Sequence, residues 1–445
     1  MPKPPPCPNP CNVLLVGGGG REHALALRLR QSPRLGQLWL TDGANAGLRS
    51  LGRVMDEPFE LKNPFRISRW CDRHDIHFIV VGPEAPLAAG IVDGLETPKR
   101  LVFGPNKAAA QIEADKAFAK QLMRTAGVPT GEARVFDNPD HARAYIESRD
   151  EPLVVKASGL AAGKGVVVCS DPIEALAALD ELTDPAKFGS AGDTIIVEEK
   201  LSGQEVSILA LTDGKTIWVL DSCQDHKQVG EGDTGPNTGG MGAYSPTDLL
   251  DEALLDQIES QILVPTVDAL RRDGIRYRGV LYAGLMLTPA GPKVLEFNCR
   301  FGDPETQALM PRLKGDLLDI LWRTAAGSLG DAEIAFDDRT ACCVVLTAGG
   351  YPGAYEKGHV IHGLEDAAAM TDVTIFHAGT TLNTKNEIIT NGGRVLGVTA
   401  LGDDLRAARD LANAACGKIS FPGCFHRRDI GSRVLSAAPV LPASP

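Results

Sequence analysis

Four short apolar runs in residues 12–103 are each followed by polar, glycine-containing positions. They lead into the glycines at 17–20, the loop at 42–47 and the Gly-Pro pairs at 82–83 and 104–105. A helical pattern follows the first glycine cluster, and this alternation predicts a doubly wound parallel sheet. Ligands of such sheets bind outside the carboxyl ends of the strands, although any single Gly-Pro pair is also an ordinary turn.

The first glycine cluster predicts an anion-binding loop at the start of a helix. Arg21, Glu22 and His23 follow the glycines, so the spacing fits neither a Walker A loop nor a good G-x-G-x-x-G. Backbone N–H groups and the helix dipole favour an anion there, whereas a cation opposes the dipole. Arg21 is therefore expected to serve a bound phosphate, and a plain tight turn is the alternative.

A helical pattern from Ala114 ends at Gly127, and Pro129 prevents its continuation. Residues 152–168 then predict a β-hairpin with a glycine-rich turn. Lys156 lies within an apolar strand of this hairpin, where an unpaired charge is costly, so we expect it to face a phosphate. The hairpin would then be a lid over a polyphosphate, and a mobile surface hairpin is the alternative.

Two polar segments follow the predicted lid. Residues 195–205 predict a strand followed by an acidic linker. Such a linker can bind the edge of an adenine and the hydroxyls of a ribose, and a plain turn is the alternative. Residues 224–245 predict a long glycine-rich loop with little secondary structure, and its Asp, His and Lys favour a function. A helix over about 247–272 and a strand over 280–287 follow, and the chain continues as a helix from Pro304 to about 325.

The segment from Lys293 to Glu305 predicts a metal-binding strand that pairs with 280–287. Strand alternation has a period of two, so Glu296 and Asn298 point to one face. Their carboxylate and amide oxygens suit Mg²⁺, which usually holds substrate phosphates as well. Arg300 follows on the same face and can reach an anionic oxygen. A strand end whose polar residues meet water is the alternative for this motif alone.

The last hundred residues alternate strands and turns before a closing helix with apolar positions at helical period. They predict a small α+β domain without a catalytic constellation of its own. Gly392, Gly393 and Arg394 are candidates for anion binding.

Composition limits the class of protein. The 445 residues are enough for three or four domains, and the net charge of −12 gives no sign of nucleic-acid binding. The ten cysteines form no C-x-x-C pair, which favours a reducing compartment. No apolar run reaches the length of a membrane span, and the proline-rich N-terminus is not a signal peptide. We expect a cytoplasmic monomer that binds neither nucleic acid nor membrane.

Several longer segments together carry a family resemblance. They include V-G-G-G-G-R-E-H-A-L-A, V-V-G-P-E-A-P-L, K-A-S-G-L-A-A-G-K-G-V, Q-D-H-K, D-T-G-P-N-T-G-G-M-G-A-Y-S-P and L-E-F-N-C-R-F-G-D-P-E-T-Q. From about residue 12 to residue 431 the chain resembles the ATP-grasp carboxylate–amine ligases, and within them the glycinamide ribonucleotide synthetases. The D-T-G-P segment is far more specific than any glycine loop.

The resemblance implies an α/β multidomain ATP-grasp ligase. Its parts would be an N-terminal doubly wound parallel-sheet domain, ATP-grasp lid and central domains, and a small C-terminal α+β domain. The limits we assign are a flexible leader at 1–11, the substrate domain at 12–115, a connecting helix at 116–133, the lid at 134–200, the central catalytic domain at 201–335, the C-terminal domain at 336–435 and a flexible tail at 436–445.

The resemblance also implies a reaction of early purine synthesis. ATP would phosphorylate glycine to glycyl phosphate, which the amine of 5-phosphoribosylamine would attack to give glycinamide ribonucleotide, ADP and phosphate. ATP with Mg²⁺ or Mn²⁺ would be required, and the implied metal ligands are Glu296 and Asn298. The implied catalytic residues are Arg300, Asp225 and Lys227.

The implied binding residues fall into two sets. Those for ATP are Lys116, Lys156, Gly163, Lys164, Gly165, Glu198, Glu199, Leu201 and Glu205. Those for the other substrates are Gly19, Gly20, Arg21, Glu22, Asn45, Gly47, Pro83, Glu84, Asn237, Thr238, Gly239, Gly240 and Met241.

Two positions depart from the family pattern, since Gly18 stands where Asn is common and Ser158 where Asp is common. Neither change removes a charge that the mechanism needs. Three other functions remain: an ATP-grasp ligase acting on formate or bicarbonate, a dinucleotide-dependent oxidoreductase, and a nucleotide-binding regulator without catalysis. The Q-D-H-K and D-T-G-P segments argue against the first, and the lysines and the E-x-N strand are left unexplained by the second.

Overall fold

The structure is a computed structural model that describes residues 4–161 and 163–435. Its first unit comprises β1 (Cys11–Val16), α1 (Gly20–Leu29), β2 (Leu35–Leu40), α2 (Ala46–Leu51), β3 (Arg53–Val54), α3 (Pro64–Arg73), β4 (Phe78–Val81), α4 (Glu84–Ala88), α5 (Ile91–Leu95), β5 (Leu101–Phe103) and α6 (Lys107–Ala114). The strands form one parallel sheet in the order β3-β2-β1-β4-β5, which confirms the predicted doubly wound sheet.

A second unit carries the predicted hairpin. It comprises α7 (Lys116–Ala126), β6 (Ala133–Phe136), α8 (Pro139–Glu147), β7 (Leu153–Ala157), β8 (Val166–Val168), α9 (Pro172–Leu182), α10 (Pro185–Phe188) and β9 (Ile195–Glu199). Its antiparallel sheet has the order β6-β9-β7-β8, so β7 and β8 pair as predicted. The α7 helix ends at Gly127, whose positive φ of 70° permits the left-handed cap.

The third unit is built on a second antiparallel sheet. Its elements are β10 (Gln204–Thr212), β11 (Ile217–Val219), β12 (Gln224–Asp225), β13 (Gln228–Gly230), β14 (Thr234–Asn237), β15 (Gly242–Ser245), α11 (Glu252–Ile258), α12 (Val264–Arg272), β16 (Gly279–Thr288), β17 (Gly291–Asn298), α13 (Glu305–Arg312), β18 (Leu313–Lys314) and α14 (Leu317–Ala326). The sheet order is β11-β10-β16-β17, and β16 pairs with β17 as predicted.

The last unit is an α+β layer, again as predicted. It comprises β19 (Ala335–Phe336), β20 (Thr340–Thr347), α15 (Leu364–Ala368), β21 (Val373–His377), β22 (Thr380–Leu382), β23 (Ile388–Thr390), β24 (Arg394–Gly402), α16 (Leu405–Cys416) and α17 (Ser432–Leu435). Its sheet has the order β12-β15-β20-β24-β21, so two strands from residues 224–245 complete it.

The prediction of little secondary structure at 224–245 is therefore wrong. β13 and β14 form a hairpin, while β15 pairs with β20, as in Gly242 opposite Val344. Glycine and polar residues have low strand propensity, and the partner strand lies about a hundred residues further along the chain. Local pattern reading does not detect such a pairing.

Two predicted helices also differ from the structure. The helix predicted from 247 begins at Glu252, because the Asp251 side chain accepts the Leu254 N–H and caps it, and a π turn at Glu259–Leu263 interrupts it. The helix predicted from 304 to 325 is two helices. Gly315 has a φ of +101°, and Asp316 caps α14 by accepting the Leu318 N–H.

The N-terminal leader contacts the folded chain where the structure describes it. The Trp322 indole N–H donates to the Pro5 carbonyl at 2.9 Å, and Cys7 packs against an apolar core that the first and third units share. The tail at 436–445 lies outside the described residues. All ten cysteines carry free thiols. Within 4–161 and 163–435, no helix has the length and apolar character needed to cross a membrane.

Candidate active site

All four units contribute side chains to one deep cleft of about 1050 Å³. Arg21 and Glu84 come from the first unit, Lys156 from the second, Glu296 from the third and Arg394 from the last. The cleft lies beyond the carboxyl ends of β1 and β4, as the parallel sheet predicts. The cleft is therefore a site that the four units build together.

One end of the cleft has apolar walls that the sequence analysis missed. Val154 and Val168 come from the lid hairpin, and Met286, Leu295 and Phe297 come from β16 and β17. Such walls suit a flat, uncharged ring, with few polar groups to orient it. The apolar residues of β16 and β17 were visible in the sequence, but only the fold brings the hairpin against them.

Two lysines meet one buried carboxylate beside this apolar end. Lys120 Nζ and Lys156 Nζ lie 3.1 and 3.0 Å from the same oxygen of Glu198. Lys120 also donates to Thr130 Oγ1 at 2.8 Å, and burial lowers the pKa of Lys120 despite the attraction of Glu198. The other Glu198 oxygen is buried and has no hydrogen-bond partner. Lys120 was not predicted, because one lysine in an amphipathic helix gives no signal.

The predicted metal ligands both line the cleft on β17. Burial would raise the pKa of Glu296, but Lys227, Lys156 and Lys116 hold it below its usual value, so the carboxylate is charged. Asn298 Oδ1 accepts from Arg300 at 3.0 Å and keeps a second lone pair. One carboxylate and one amide oxygen fit a hard divalent cation that substrate phosphates also bind. The described residues hold no cluster of three or more His, Cys, Asp or Glu suited to a metal.

Arg300 is held by two carboxylates of the first unit. Its Nη2 lies 3.0 Å from Glu113 and its Nε lies 3.4 Å from Glu84. The second Glu113 oxygen accepts the Cys299 N–H at 2.7 Å. Burial opposes the charge of Arg300, but these acids raise its pKa, so the guanidinium is permanently charged. Glu113 was missed because it lies in α6, far from Arg300 in sequence.

At the first glycine loop, two carboxylates of the chain accept hydrogen bonds from backbone N–H groups at the start of α1. Glu22 accepts the Gly19 N–H at 2.7 Å and also the Arg21 Nε–H at 2.6 Å. Asp303 accepts the Arg21 backbone N–H at 3.4 Å. A Cβ on Gly82 would lie 2.0 Å from a carboxylate oxygen of Glu22. Only glycine at position 82 therefore leaves room for this carboxylate.

Asn45 and Gly47 lie behind the cleft, at the contact between the first and last units. Asn45 Oδ1 accepts the Leu48 N–H, and its Nδ2 donates to the carbonyls of Gly18 and His377. The side chain is 3% exposed and both of its polar ends have partners. A Cβ on Gly47 would approach the His23 ring to 2.4 Å.

Lys227 and Asp225 lie on the wall formed by β12 and the following hairpin. Lys227 Nζ is 3.0 Å from Glu205 and 3.9 Å from Glu296, and mainly Glu205 raises its pKa. Asp225 Oδ1 is buried without a hydrogen-bond partner. Burial and then Glu305 raise the pKa of Asp225.

The remaining predicted residues divide between the cleft wall and positions behind it. Those lining the cleft are Lys116, Gly163, Gly165, Glu199, Leu201, Pro83, Asn237, Thr238 and Gly239. Met241 is fully buried, and a Cβ on Gly240 would lie 2.8 Å from Asp225. Lys164 lines an adjoining open cavity with Phe188, and this cavity shares Leu160 and Ala161 with the cleft. Arg394 of the predicted anion-binding set donates to the Gly239 carbonyl and lies 3.3 Å from Asp303.

Family models for the three domains of phosphoribosylglycinamide synthetase match the chain. The N domain matches residues 11–113, the ATP-grasp (A) domain residues 114–306 and the C domain residues 341–433. A phosphoribosylamine–glycine ligase of Rhodopirellula baltica is 49% identical over 434 residues, 96% of this chain and 98% of the relative. The trifunctional purine biosynthetic protein adenosine-3 of Gallus gallus is 47% identical over 95% of this chain and 42% of its own length.

Solved structures show the same architecture. A phosphoribosylamine–glycine ligase of Thermotoga maritima superimposes with a TM-score of 0.78 at 30% identity, over 94% of this chain and all of the other. The biotin carboxylase domain of Hydrogenobacter thermophilus 2-oxoglutarate carboxylase has a TM-score of 0.72 at 17% identity, covering 93% and 91%. The second likeness concerns the fold alone.

Proposed function

The chain belongs to the phosphoribosylglycinamide synthetase family, and on that premise we propose that it joins glycine to 5-phosphoribosylamine at the expense of ATP. The products are glycinamide ribonucleotide, ADP and phosphate. A carboxylate is a poor electrophile, so the first half-reaction transfers the γ-phosphoryl group of ATP to glycine. In the second half-reaction the amine attacks the acyl phosphate, and phosphate leaves.

In the first half-reaction the protein acts mainly by binding and orienting the substrates, since phosphoryl transfer needs little covalent catalysis. The apolar end of the cleft takes adenine, and Lys116 and Lys156 hold the polyphosphate. Glu296 and Asn298 hold a divalent cation, Mg²⁺ or Mn²⁺, which when bound neutralises charge on the phosphate oxygens. The charged state of Glu296 and the position of both side chains on one cleft wall support this assignment.

In the second half-reaction the protein excludes water and stabilises the charge of the acyl phosphate. Arg300 stabilises the acyl phosphate in this proposal, which its contacts with Glu84 and Glu113 support because they orient the guanidinium. The amine substrate lies against Arg21, Pro83 and Glu84, the members of its predicted site that line the cleft. The lid hairpin covers the intermediate, which water would otherwise hydrolyse.

The observation that carries the proposal is that the lysine-bearing hairpin, the Glu296–Asn298 pair and the β12–β15 segment face one cleft. A coupled assay with ATP and freshly made phosphoribosylamine tests it, with glycine, formate or bicarbonate as the third substrate. We expect ADP and phosphate release with glycine only. Release with formate or bicarbonate alone, or none with glycine, would contradict the proposal.

We also infer a cytoplasmic monomer that binds small molecules and neither nucleic acid nor membrane. The ten free thiols support a reducing compartment, and the net charge of −12 is unsuited to a phosphate backbone. Light scattering of the purified protein tests the monomer, and a two-chain mass at micromolar concentration would contradict it.

A further inference from the structure

Two carboxylates on the cleft wall have no cationic partner within salt-bridge distance among residues 4–161 and 163–435. Asp225 lies on β12, and Glu305 is the first residue of α13 and is 2% exposed. Both line the cleft. Other cleft acids, such as Glu198 with Lys156, are paired. The Asp225–Glu305 pair is therefore an exception that calls for a ligand.

The polar atoms of this pair are unequally satisfied. Glu305 Oε1 accepts from the Tyr282 hydroxyl and, at 3.2 Å, from the Ser207 hydroxyl. Asp225 Oδ1, in contrast, is buried and has no hydrogen-bond donor. A buried acceptor without a donor costs free energy, and two nearby buried carboxylates repel each other unless a proton or a cation joins them. The pair is thus suited to a small hydrogen-bond donor with a positive charge.

Cations line the same cleft. Arg300 is close enough to Glu305 for that acid to help raise its pKa, and Lys227 is close enough to Asp225 to oppose the rise in the Asp225 pKa that burial causes. Positive groups beside an unpaired acidic pair match a zwitterion, whose carboxylate and ammonium carry opposite charges a few ångströms apart. Electrostatic complementarity of this kind selects one ligand among others of similar size.

We propose that Asp225 and Glu305 bind the ammonium group of the amino-acid substrate and thereby select it over carboxylic acids that lack an ammonium. This inference rests on the proposed function and extends it to one subsite. The ammonium supplies three N–H donors, one for the free Asp225 Oδ1, and its charge neutralises the pair. The carboxylate then points toward Arg300, where phosphorylation occurs.

Glycolate is the probe, because it has a hydroxyl where glycine has its ammonium. The KM of glycine and the competitive inhibition constant of glycolate are measured for the wild type, Asp225→Asn and Glu305→Gln. Charged hydrogen bonds of this kind are worth about 10- to 100-fold in binding. We expect either variant to raise the glycine KM by that factor, while the glycolate constant changes by less than about threefold.

A matched control is Glu199→Gln, which removes a cleft carboxylate that already pairs with Lys293 at 2.9 Å. The KM of ATP can change in this variant. We expect the ratio of the glycine KM to the glycolate inhibition constant to stay at the wild-type value. If a variant does not turn over, calorimetric titration with glycine and glycolate in the presence of ADP gives the same comparison.

Three outcomes overturn the ammonium subsite. They are an unchanged glycine KM in Asp225→Asn, an equal loss of glycine and glycolate binding, and a changed ratio in the Glu199→Gln control. Failure of the proposed function gives a different result, since the wild type would then release no ADP in response to glycine.

Discussion

Glu296 lies among three lysine side chains, yet its nearest cation, on Lys227, is 3.9 Å away. Lys227 is instead paired closely with Glu205 at 3.0 Å. The lysines therefore keep the Glu296 carboxylate charged, but none of them forms a close ion pair with it. At the residue scale this is the property that a metal ligand needs, since a tightly paired carboxylate would have to break that pair first.

Glu296→Gln is expected to lower kcat by about 100-fold or more, because the amide keeps the shape but loses the charge that holds the metal. ADP release at several Mg²⁺ concentrations measures the effect, and thermal unfolding shows whether the variant is folded. Glu151→Gln, an exposed acid paired with Arg149, is the matched control and should behave as the wild type. Wild-type turnover by Glu296→Gln at ordinary Mg²⁺ would remove the metal assignment.

Elements, rather than single residues, set the geometry around Arg300. The α6 helix carries Glu113 and the start of α4 carries Glu84, so two elements of the first unit hold a side chain that follows β17. Glu113 also accepts the Cys299 N–H, which fixes the backbone beside Arg300. The helix therefore orients the guanidinium and its loop together.

Glu113→Gln is expected to lower kcat about tenfold to 100-fold while leaving the ATP KM nearly unchanged, since outer contacts orient a group that acts on the intermediate. Steady-state kinetics with varied ATP measures both constants. Glu84→Gln removes the longer contact of 3.4 Å and should have the smaller effect. A larger rise in the ATP KM than fall in kcat would show that Glu113 does not act through Arg300.

In the lid hairpin β7–β8, Lys156 lines the cleft and Lys164 lines the cavity that adjoins it. Lys156→Ala is expected to raise the ATP dissociation constant about tenfold, because a charge-assisted contact to the polyphosphate is lost. Lys164→Ala, the matched control from the turn of the same hairpin, should change it less. Calorimetry with ATP measures both variants, and unchanged affinity in Lys156→Ala would contradict the lid assignment.

At the scale of the whole molecule, a buried polar contact joins the first and last units behind the cleft. His23 Nδ1 accepts the His377 backbone N–H at 2.7 Å, and Asn45 donates to the His377 carbonyl. The acceptor role requires a neutral His23 ring. Burial and then His377 lower the pKa of His23 from 6.5 to about 3, so the ring is neutral when the chain is folded.

Acid should therefore weaken the folded state through His23. Between pH 6.5 and 3 the unfolded chain binds a proton that the folded chain excludes, so stability falls as the pH falls through this window. The loss from this one group is about 2 kcal/mol at pH 5. Urea unfolding at pH 7 and pH 5 measures it, and His23→Gln should show a pH difference smaller by that amount. An equal difference in both proteins would contradict the argument.

Much of the fold could be predicted because its strands are continuous apolar runs with loops at their ends. Two-residue alternation predicted that Glu296 and Asn298 share a face, and the lone charge in an apolar strand singled out Lys156; all three side chains line the cleft. The partners of site residues could not be predicted in the same way. Glu113 and Lys120 lie on helices whose orientation depends on packing between units. A local sequence pattern contains no information about that packing.

The glycine loop shows a second kind of limit. Its strand, glycines and helix were predicted correctly, but the hydrogen bond from the Gly19 N–H to Glu22 was not. The sequence gives the charge of Glu22 and not the direction of its side chain. That direction depends on the space left by Gly82, which follows a different strand.

The pairing of β15 with β20 has a consequence for synthesis on the ribosome. β15 ends at Ser245, whereas its sheet is complete only when β24 has emerged, up to Gly402. That is roughly 150 residues later, or on the order of ten seconds at ordinary translation rates. Until β20 emerges, roughly 100 residues after Ser245, the only partner of β15 in this sheet is the two-residue strand β12, so the wall that carries Asp225 is completed late in synthesis.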